Sequence, residues 1–287
     1  MNGAAIRNAM TVDVEDWFQV QAFAQAIARA DWDGLESRVV GNTEAVLALF
    51  ADAGVRGTFF TLGWVAQRHP ALIRAIVAAG HELASHGHGH QRVHEIGEAA
   101  FRADIRRAKA TLEDAGGVAV RGYRAPTFSI GAATPWAYQV LAEEGHGYSS
   151  SVYPIRHDLY GAADAPRAPH RPDPSGVVEL PMTTTRVLGR NLPCSGGGFF
   201  RLLPYPLYRA GLRRVNAAEG LPGIFYFHPW EIDPGQPRVA GAGARSRLRH
   251  YTGLSSMATR LRRLLRDFAW GRLDEVHAGA LAPGAMG

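Results

Sequence analysis

Short apolar or β-branched runs alternate with helical patterns along most of the chain. The runs "AMTVDVE", "RGTFFTLG", "HELASH", "RGYRAP", "GYSSSVYP", "VVELPMTT" and "GIFYFHP" read as strands. Between them "GNTEAVLALFADAG", "PALIRAIVAAG", "EAAFRADIRRAKATLEDAGG" and "ATPWAYQVLAEEG" carry apolar residues at helical spacing. Several of these end in Gly, the residue that most easily takes the left-handed conformation closing a helix. Alternating β and α units predict a parallel sheet covered by helices, and seven such units in this length predict a distorted (β/α) barrel rather than an open sheet. The expected organisation is one domain over residues 1–287, with a core at about 8–232 and a C-terminal helical extension at about 233–287. The Pro-rich "ADAPRAPHRPDPSG" interrupts the rhythm and reads as an exposed loop rimming a site.

Composition narrows the class. A chain of 287 residues with 46% hydrophobic content can bury one large core. No run of eighteen apolar residues is present, and "MNGAAIRNAMTVDVED" reaches acidic residues before a signal-peptide core could form. The expected location is therefore the cytoplasm, with the inner face of the membrane as a place of work. The single Cys194 excludes an intramolecular disulfide and a Cys-rich zinc site, so a bound metal must be held by His and carboxylate. The net charge is +5, and in "TRLRRLLRDFAW" arginines alternate with leucines at helical spacing, which predicts a docked helix with a solvated basic face. A nucleic-acid partner is not expected.

Ionisable residues fall at the ends of the predicted strands. "TVDVED" ends in Asp13, Glu15 and Asp16, "HELASHGHGH" in His86 and His90, "GYRAP" in Arg124 and "FYFHPWE" in His228. In a parallel barrel the C-terminal strand ends converge, and buried strands rarely admit charges without partners, so this set predicts a site. Five of the twelve histidines lie between positions 81 and 94. The spacing from His86 to His90 brings two imidazoles to one side of a turn, and Gly87 and Gly89 disfavour a regular helix there by about 1 kcal/mol each. With one carboxylate from "DVED" they form a three-ligand set that leaves positions for water and substrate. His88 is expected to face away, and His81 and His94 to be structural.

In that order, "TVDVEDWF", "HELASHGHGH", "GYRAP" and "YFHPWEID" resemble the successive motifs of the polysaccharide deacetylases of the NodB-homology class, carbohydrate esterase family 4. "SVYPIRHDLYG", "GGGFFRLLP" and "HPWEIDPGQPR" followed by "RHYTGL" resemble the subgroup associated with exopolysaccharide biosynthesis and the PEP-CTERM/exosortase system. The resemblance implies a general base at Asp13, metal ligands at His86, His90 and either Glu15 or Asp16, an arginine orienting the base at Arg124, and a general acid at His228. Strand alternation favours Glu15 over Asp16, whereas a turn beginning at Glu15 would favour Asp16. Trp17, Phe128 and Trp230 would wall a sugar pocket. A divalent cation, zinc in expectation, is implied as cofactor. The implied partner is an N-acetylated glycan or lipid-linked sugar precursor, with peripheral attachment to a membrane synthesis complex as a further expectation.

The chemistry suits these residue types. Hydrolysis of an acetamide needs an activated water, a stabilised oxyanion and a proton for the leaving amine, and the set offers a candidate for each. No competing nucleophile stands out: Cys194 and Ser195 in "LPCSGGGFF" have no base beside them in sequence, and no G-x-S-x-G elbow occurs. Two rival readings remain, an allantoinase-like amidohydrolase acting on a small ureide and a non-catalytic carbohydrate-binding barrel. The chain also departs from the resembled pattern at Ser149, where an acidic residue would support the general acid. Asp158 and Glu231 are the substitutes nearest in sequence.

Overall fold

The structure is a computed structural model and describes residues 6–282 and 284. Ten strands occur among them: β1 (Arg7–Val14), β2 (Thr58–Thr61), β3 (Glu82–Ser85), β4 (Gly122–Tyr123), β5 (Tyr148–Ser149), β6 (Val178–Glu179), β7 (Thr184–Val187), β8 (Arg190–Pro193), β9 (Ile224–Phe227) and β10 (Ala269–Gly271). Eight form one sheet in the order β10-β1-β2-β3-β4-β5-β6, and β9 also lies beside β1. Every pairing in it is parallel. β1 holds the sheet together: along one edge its start pairs with β10 and its later half with β2, and its other edge pairs with β9. Strands covered on both faces must be apolar throughout, which is why Val12, Phe59, Phe60, Phe225 and Phe227 are buried in succession.

The curl stops short of a closed barrel. No ladder joins β6 to β9 among the described residues; hydroxyl groups span the seam instead. The Ile224 amide donates to Thr183 Oγ1 at 2.5 Å, and Ser195 Oγ donates to the Ile224 carbonyl at 2.6 Å. Such bonds satisfy buried backbone groups that a missing strand would otherwise leave unpaired. Outside the sheet lie α1 (Val39–Asp52), α2 (Gly63–Arg68), α3 (Pro70–Ala78), α4 (Val93–Gly116), α5 (Ala137–Glu143), α6 (Gly197–Leu202), α7 (Tyr205–Glu219), α8 (Ala244–Tyr251) and α9 (Leu254–Asp267).

All seven expected strands are present. The antiparallel ribbon β7–β8 and the strand β10 were not expected from the sequence. The ribbon turns on Leu188-Gly189, which lacks the usual Asn-Gly signature, and β10 is only three residues long. Through β10 the C-terminal stretch joins the main sheet, burying Trp270, whose Nε1 donates to the Leu264 carbonyl at 3.1 Å. On α9 the leucines face the core and Arg262, Arg263 and Arg266 face solvent, as the alternation in the sequence implies. The Pro-rich loop does not rim the site: Arg167 and Pro169 line a small recess with Thr183, Leu221 and His277, away from the histidine turn.

Candidate functional site

The end of β1 and the turn after β3 bring Glu15, His86 and His90 together, with one potential ligand atom from each lying within 4.8 Å of the others. All three side chains are buried. Glu15 Oε2 is 2.8 Å from His90 Nε2, yet it is a buried oxygen with no hydrogen-bond partner. Without a cation this is an ion-pair contact; with the His90 ring neutral, Oε2 and Nε2 both present lone pairs to the same point, which a divalent cation would share. His86 Nδ1 lies 2.8 Å from the Arg124 carbonyl, so that nitrogen carries the proton and Nε2 is left as the lone-pair donor. Burial pushes the His86 pKa down to about 4 and keeps the ring in its neutral, ligating form. Burial raises the Glu15 pKa, but His90 and His228 more than offset it and hold the carboxylate at about 2. Two imidazoles, one carboxylate and free coordination positions suit a divalent cation such as zinc.

The turn that presents the histidines is fastened from two sides. Asp104 on α4 accepts from the His88 and Gly89 amides at 2.8 and 3.0 Å, while Arg29 donates to the Gly89 and His90 carbonyls, each at 2.9 Å. Gly87 sits at φ +75° with the Asp104 carboxylate packed where a side chain would be, so only glycine fits. His90 itself takes the left-handed conformation (φ 50°), uncommon for a non-glycine residue and held by these clamps. His88 turns away from the group, and His81 and His94 bond elsewhere, to the Gly57 amide and the Ser129 carbonyl.

Asp13 lies two residues before Glu15 on the same face of β1, and a fully buried Arg124 holds it. The guanidinium donates through Nη1 to Asp13 Oδ1 at 2.6 Å and to Thr11 Oγ1 at 2.8 Å. Its Nε bonds the Ser150 carbonyl, its Nη2 bonds Ser150 Oγ, and it lies 4.0 Å over the Phe60 ring. A charge this deep is tolerated because it is fully bonded and paired.

His228 follows β9 and faces Glu15, with Nε2 3.6 Å from Oε1. Its other nitrogen, Nδ1, lies 3.2 Å from Glu231 Oε2, and the same oxygen accepts from the His228 amide at 2.9 Å. Burial alone would depress the imidazole; Glu15 and Glu231 outweigh it and raise the pKa to about 9. Glu231 is in turn gripped by Arg201, Nε to Oε1 at 2.8 Å, and is held at about 2 against its own burial. Arg201 also donates to the carbonyls of Arg249, His250 and Thr252, tying α8 to the site. Gly197 has no side chain because the Glu231 carboxylate fills that space. The carboxylate beside His228 is therefore Glu231. Asp158 instead pairs with Arg245 and Arg249, and Ser149 bonds Ser151.

A cleft of about 400 Å³ opens over these groups. Phe128 and Trp230 line it, with Tyr160, Phe199, His157 and Arg249, which the sequence alone did not single out. Thr127 and Phe128 are both left-handed (φ 56° and 48°), a local distortion at the cleft wall. Trp230 is stacked between His228 (5.0 Å) and His250 (4.2 Å) and donates to Glu15 Oε1 at 3.2 Å. Two expected residues lie elsewhere. Trp17 is packed behind the wall with Phe18, its Nε1 donating to the Glu36 carbonyl. The Asp16 carboxylate accepts from Ser37 Oγ and the amides of Trp17, Arg38 and Val39 at the start of α1, so the structure does not bring it to the His86–His90 group.

The family described as "Polysaccharide deacetylase" matches residues 32–145, and a domain of unknown function, DUF3473, matches residues 150–278. A chitooligosaccharide deacetylase of Sinorhizobium fredii is 32% identical over 112 residues, 39% of this chain and 49% of that one. The chain thus spans about half the length of this curated relative. Two solved structures share the fold. A candidate polysaccharide deacetylase from Mycobacterium smegmatis has a TM-score of 0.62 at 22% identity, and an allantoinase has 0.61 at 18%. Each likeness covers 99% of this chain and 94% of the other. Residues 32–145 thus match the polysaccharide deacetylase family, and they lie in a curled parallel α/β sheet to which residues 150–278 add the remaining wall.

Proposed function

We propose that the protein is a metal-dependent hydrolase that removes N-acetyl groups from the amino sugars of a polysaccharide or its precursor. The observation that carries this is the juxtaposition of Glu15, His86 and His90 with the Arg124-held Asp13 on one side and the Glu231-held His228 on the other. A divalent cation held by the three ligands would supply Lewis acidity, polarising the acetamide carbonyl and making water a better nucleophile near neutral pH. Asp13 takes the proton of the attacking water, and Arg124 fixes the direction in which its carboxylate points. His228 donates through Nε2 to the departing amine, while its Nδ1 proton rests on Glu231. The products are acetate and a free amino sugar. Phe128, Tyr160 and Phe199 offer apolar planes of the kind sugar rings stack on.

An exopolysaccharide substrate is supported by the resemblance of "SVYPIRHDLYG", "GGGFFRLLP" and "HPWEIDPGQPR" to the exopolysaccharide-associated subgroup. Fold likeness alone does not separate a deacetylase from an allantoinase. The size and aromatic lining of the cleft favour a sugar over a small planar ureide. The deciding experiment measures acetate release from N-acetylated oligosaccharides, alongside ureide release from allantoin, with and without a chelator. Chelator-sensitive acetate release supports the proposal; turnover of allantoin alone, or of neither substrate, overturns it.

A further inference from the structure

The β7–β8 ribbon ends in a feature that the fold does not require. Leu188 and Gly189 have φ of +48° and +77°, the two positive values of a type I′ turn, whose first position favours Asn, Asp or Gly. Leucine pays a backbone cost there and gains no burial in return, since its side chain is 98% exposed. Val187 and Leu192, also exposed, share one face of the ribbon with Arg190, because residues two apart and those directly opposite project together. No acidic residue lies between Thr184 and Pro193.

The ribbon is joined to two arginine-rich helices. Its base is fixed to α7 by Tyr208 Oη, which donates to the Cys194 carbonyl at 3.0 Å. α7 is joined to α9 through Asp267, which accepts from Tyr205 Oη at 2.8 Å and pairs with Arg209 at 2.7 Å. Ribbon, α7 and α9 together hold nine arginines and two carboxylates, a surplus of seven positive charges that exceeds the net +5 of the whole chain. Both carboxylates are already paired, Glu219 with Arg167 and Asp267 with Arg209. Arg213, Arg214, Arg262, Arg263 and Arg266 face solvent.

We infer that this surface docks on an anionic lipid bilayer, with Leu188 at the ribbon tip entering the headgroup region and the arginines of the ribbon, α7 and α9 meeting lipid charge. An exposed apolar tip flanked by cations matches such a surface in both of its properties, apolar depth and negative charge. No helix among the described residues is long and apolar enough to cross a membrane, so the contact is peripheral. The inference stands apart from the deacetylase reading, since none of these residues lines the cleft.

The test is co-sedimentation of the full chain with phosphatidylglycerol-containing and pure phosphatidylcholine vesicles. Wild type should partition onto the anionic vesicles and release as salt is raised. Leu188→Asp should weaken that partitioning by about tenfold or more, as loss of one inserted leucine implies. Arg186→Glu with Arg190→Glu should remove most of the salt-sensitive part. Neither variant should change metal content or turnover of a soluble substrate. A fluorophore on Leu188→Cys reports tip insertion by a blue shift, the native Cys194 being buried. The inference is overturned by equal binding to neutral vesicles, by Leu188→Asp binding as wild type does, by an unshifted fluorophore on bound protein, or by a Leu188-dependent dimer that ignores vesicles.

Discussion

The two parts of the chain that meet at the cleft are built in different ways. In residues 32–145 the histidines stand four apart on one turn, and nearby backbone groups and Asp104 hold them. In residues 150–278 His228 depends on a relay of side chains, Glu231 to Arg201, and from there to carbonyls about fifty residues onward. Ligands for a cation must converge within a few ångströms, which a short rigid turn does well. A proton donor needs a tuned environment more than a fixed position, and charges drawn from distant segments can supply it. Asp13 on the central strand β1 and Glu15 just past its end lie outside both matched ranges and serve both parts.

The comparison breaks most visibly at the metal group. His86→Ala should lose the metal and with it essentially all acetate release, whereas Asp13→Asn should stay metal-replete and lose about 10²–10⁴-fold in kcat. Elemental analysis beside kinetics checks both. Full metal occupancy in His86→Ala would remove the ligand assignment, and a metal-free Asp13→Asn would reverse the roles of Asp13 and Glu15.

A smaller effect probes the relay. Glu231→Gln keeps shape but removes a negative charge that helps raise the His228 pKa to about 9. The folded pKa should fall, so the protonated acid is lost at lower pH and the alkaline limb of kcat/KM moves down, with about a 10–100-fold loss at the wild-type optimum. A bound cation that takes up the Glu15 charge acts in the same direction, so variant and wild type are compared at equal metal content. An unmoved limb would mean that Glu231 does not support the acid.

His146 sharpens the contrast because it is a buried histidine without partners. Neither ring nitrogen is bonded, and burial holds its pKa at about 3. The unfolded chain therefore binds a proton that the folded chain refuses, and stability falls as pH drops below about 6.5. His146→Leu should recover about 2 kcal/mol of unfolding free energy at pH 5 relative to pH 8, read from denaturant curves at the two values. An identical pH dependence in wild type and variant would refute this.

The smallest effect separates the cleft wall from the core behind it. Phe128→Ala should raise KM for an oligosaccharide by about tenfold, the worth of one lost stacking contact. Trp17→Phe should leave KM unchanged, since Trp17 does not line the cleft. A KM that responds to Trp17 would place the sugar elsewhere.

Much of this was legible in the residues themselves. The period of apolar positions marked seven of the eight strands of the main sheet, because strands covered on both faces must be apolar throughout. Asp13, His86, His90, Arg124 and His228 stood out because polar residues at strand ends are costly without partners. Strand alternation favoured Glu15 over Asp16, but local patterning does not say where the strand gives way to a turn, and a turn at Glu15 would have reversed the choice. Only the fold, with Asp16 capping α1 and Glu15 facing His90, separates them. The partner of His228 was likewise a matter of three-dimensional placement. Glu231 was one of two nearby carboxylates, and Arg201 had no sequence signal beyond the glycines that make room for its neighbour. The sequence by itself determined the alternating architecture and the types of chemistry available, since period and residue type are local properties. The tertiary structure decided which carboxylate faces the histidines, what raises the acid's pKa and where the sheet is left open, because each depends on groups brought together across tens to hundreds of residues.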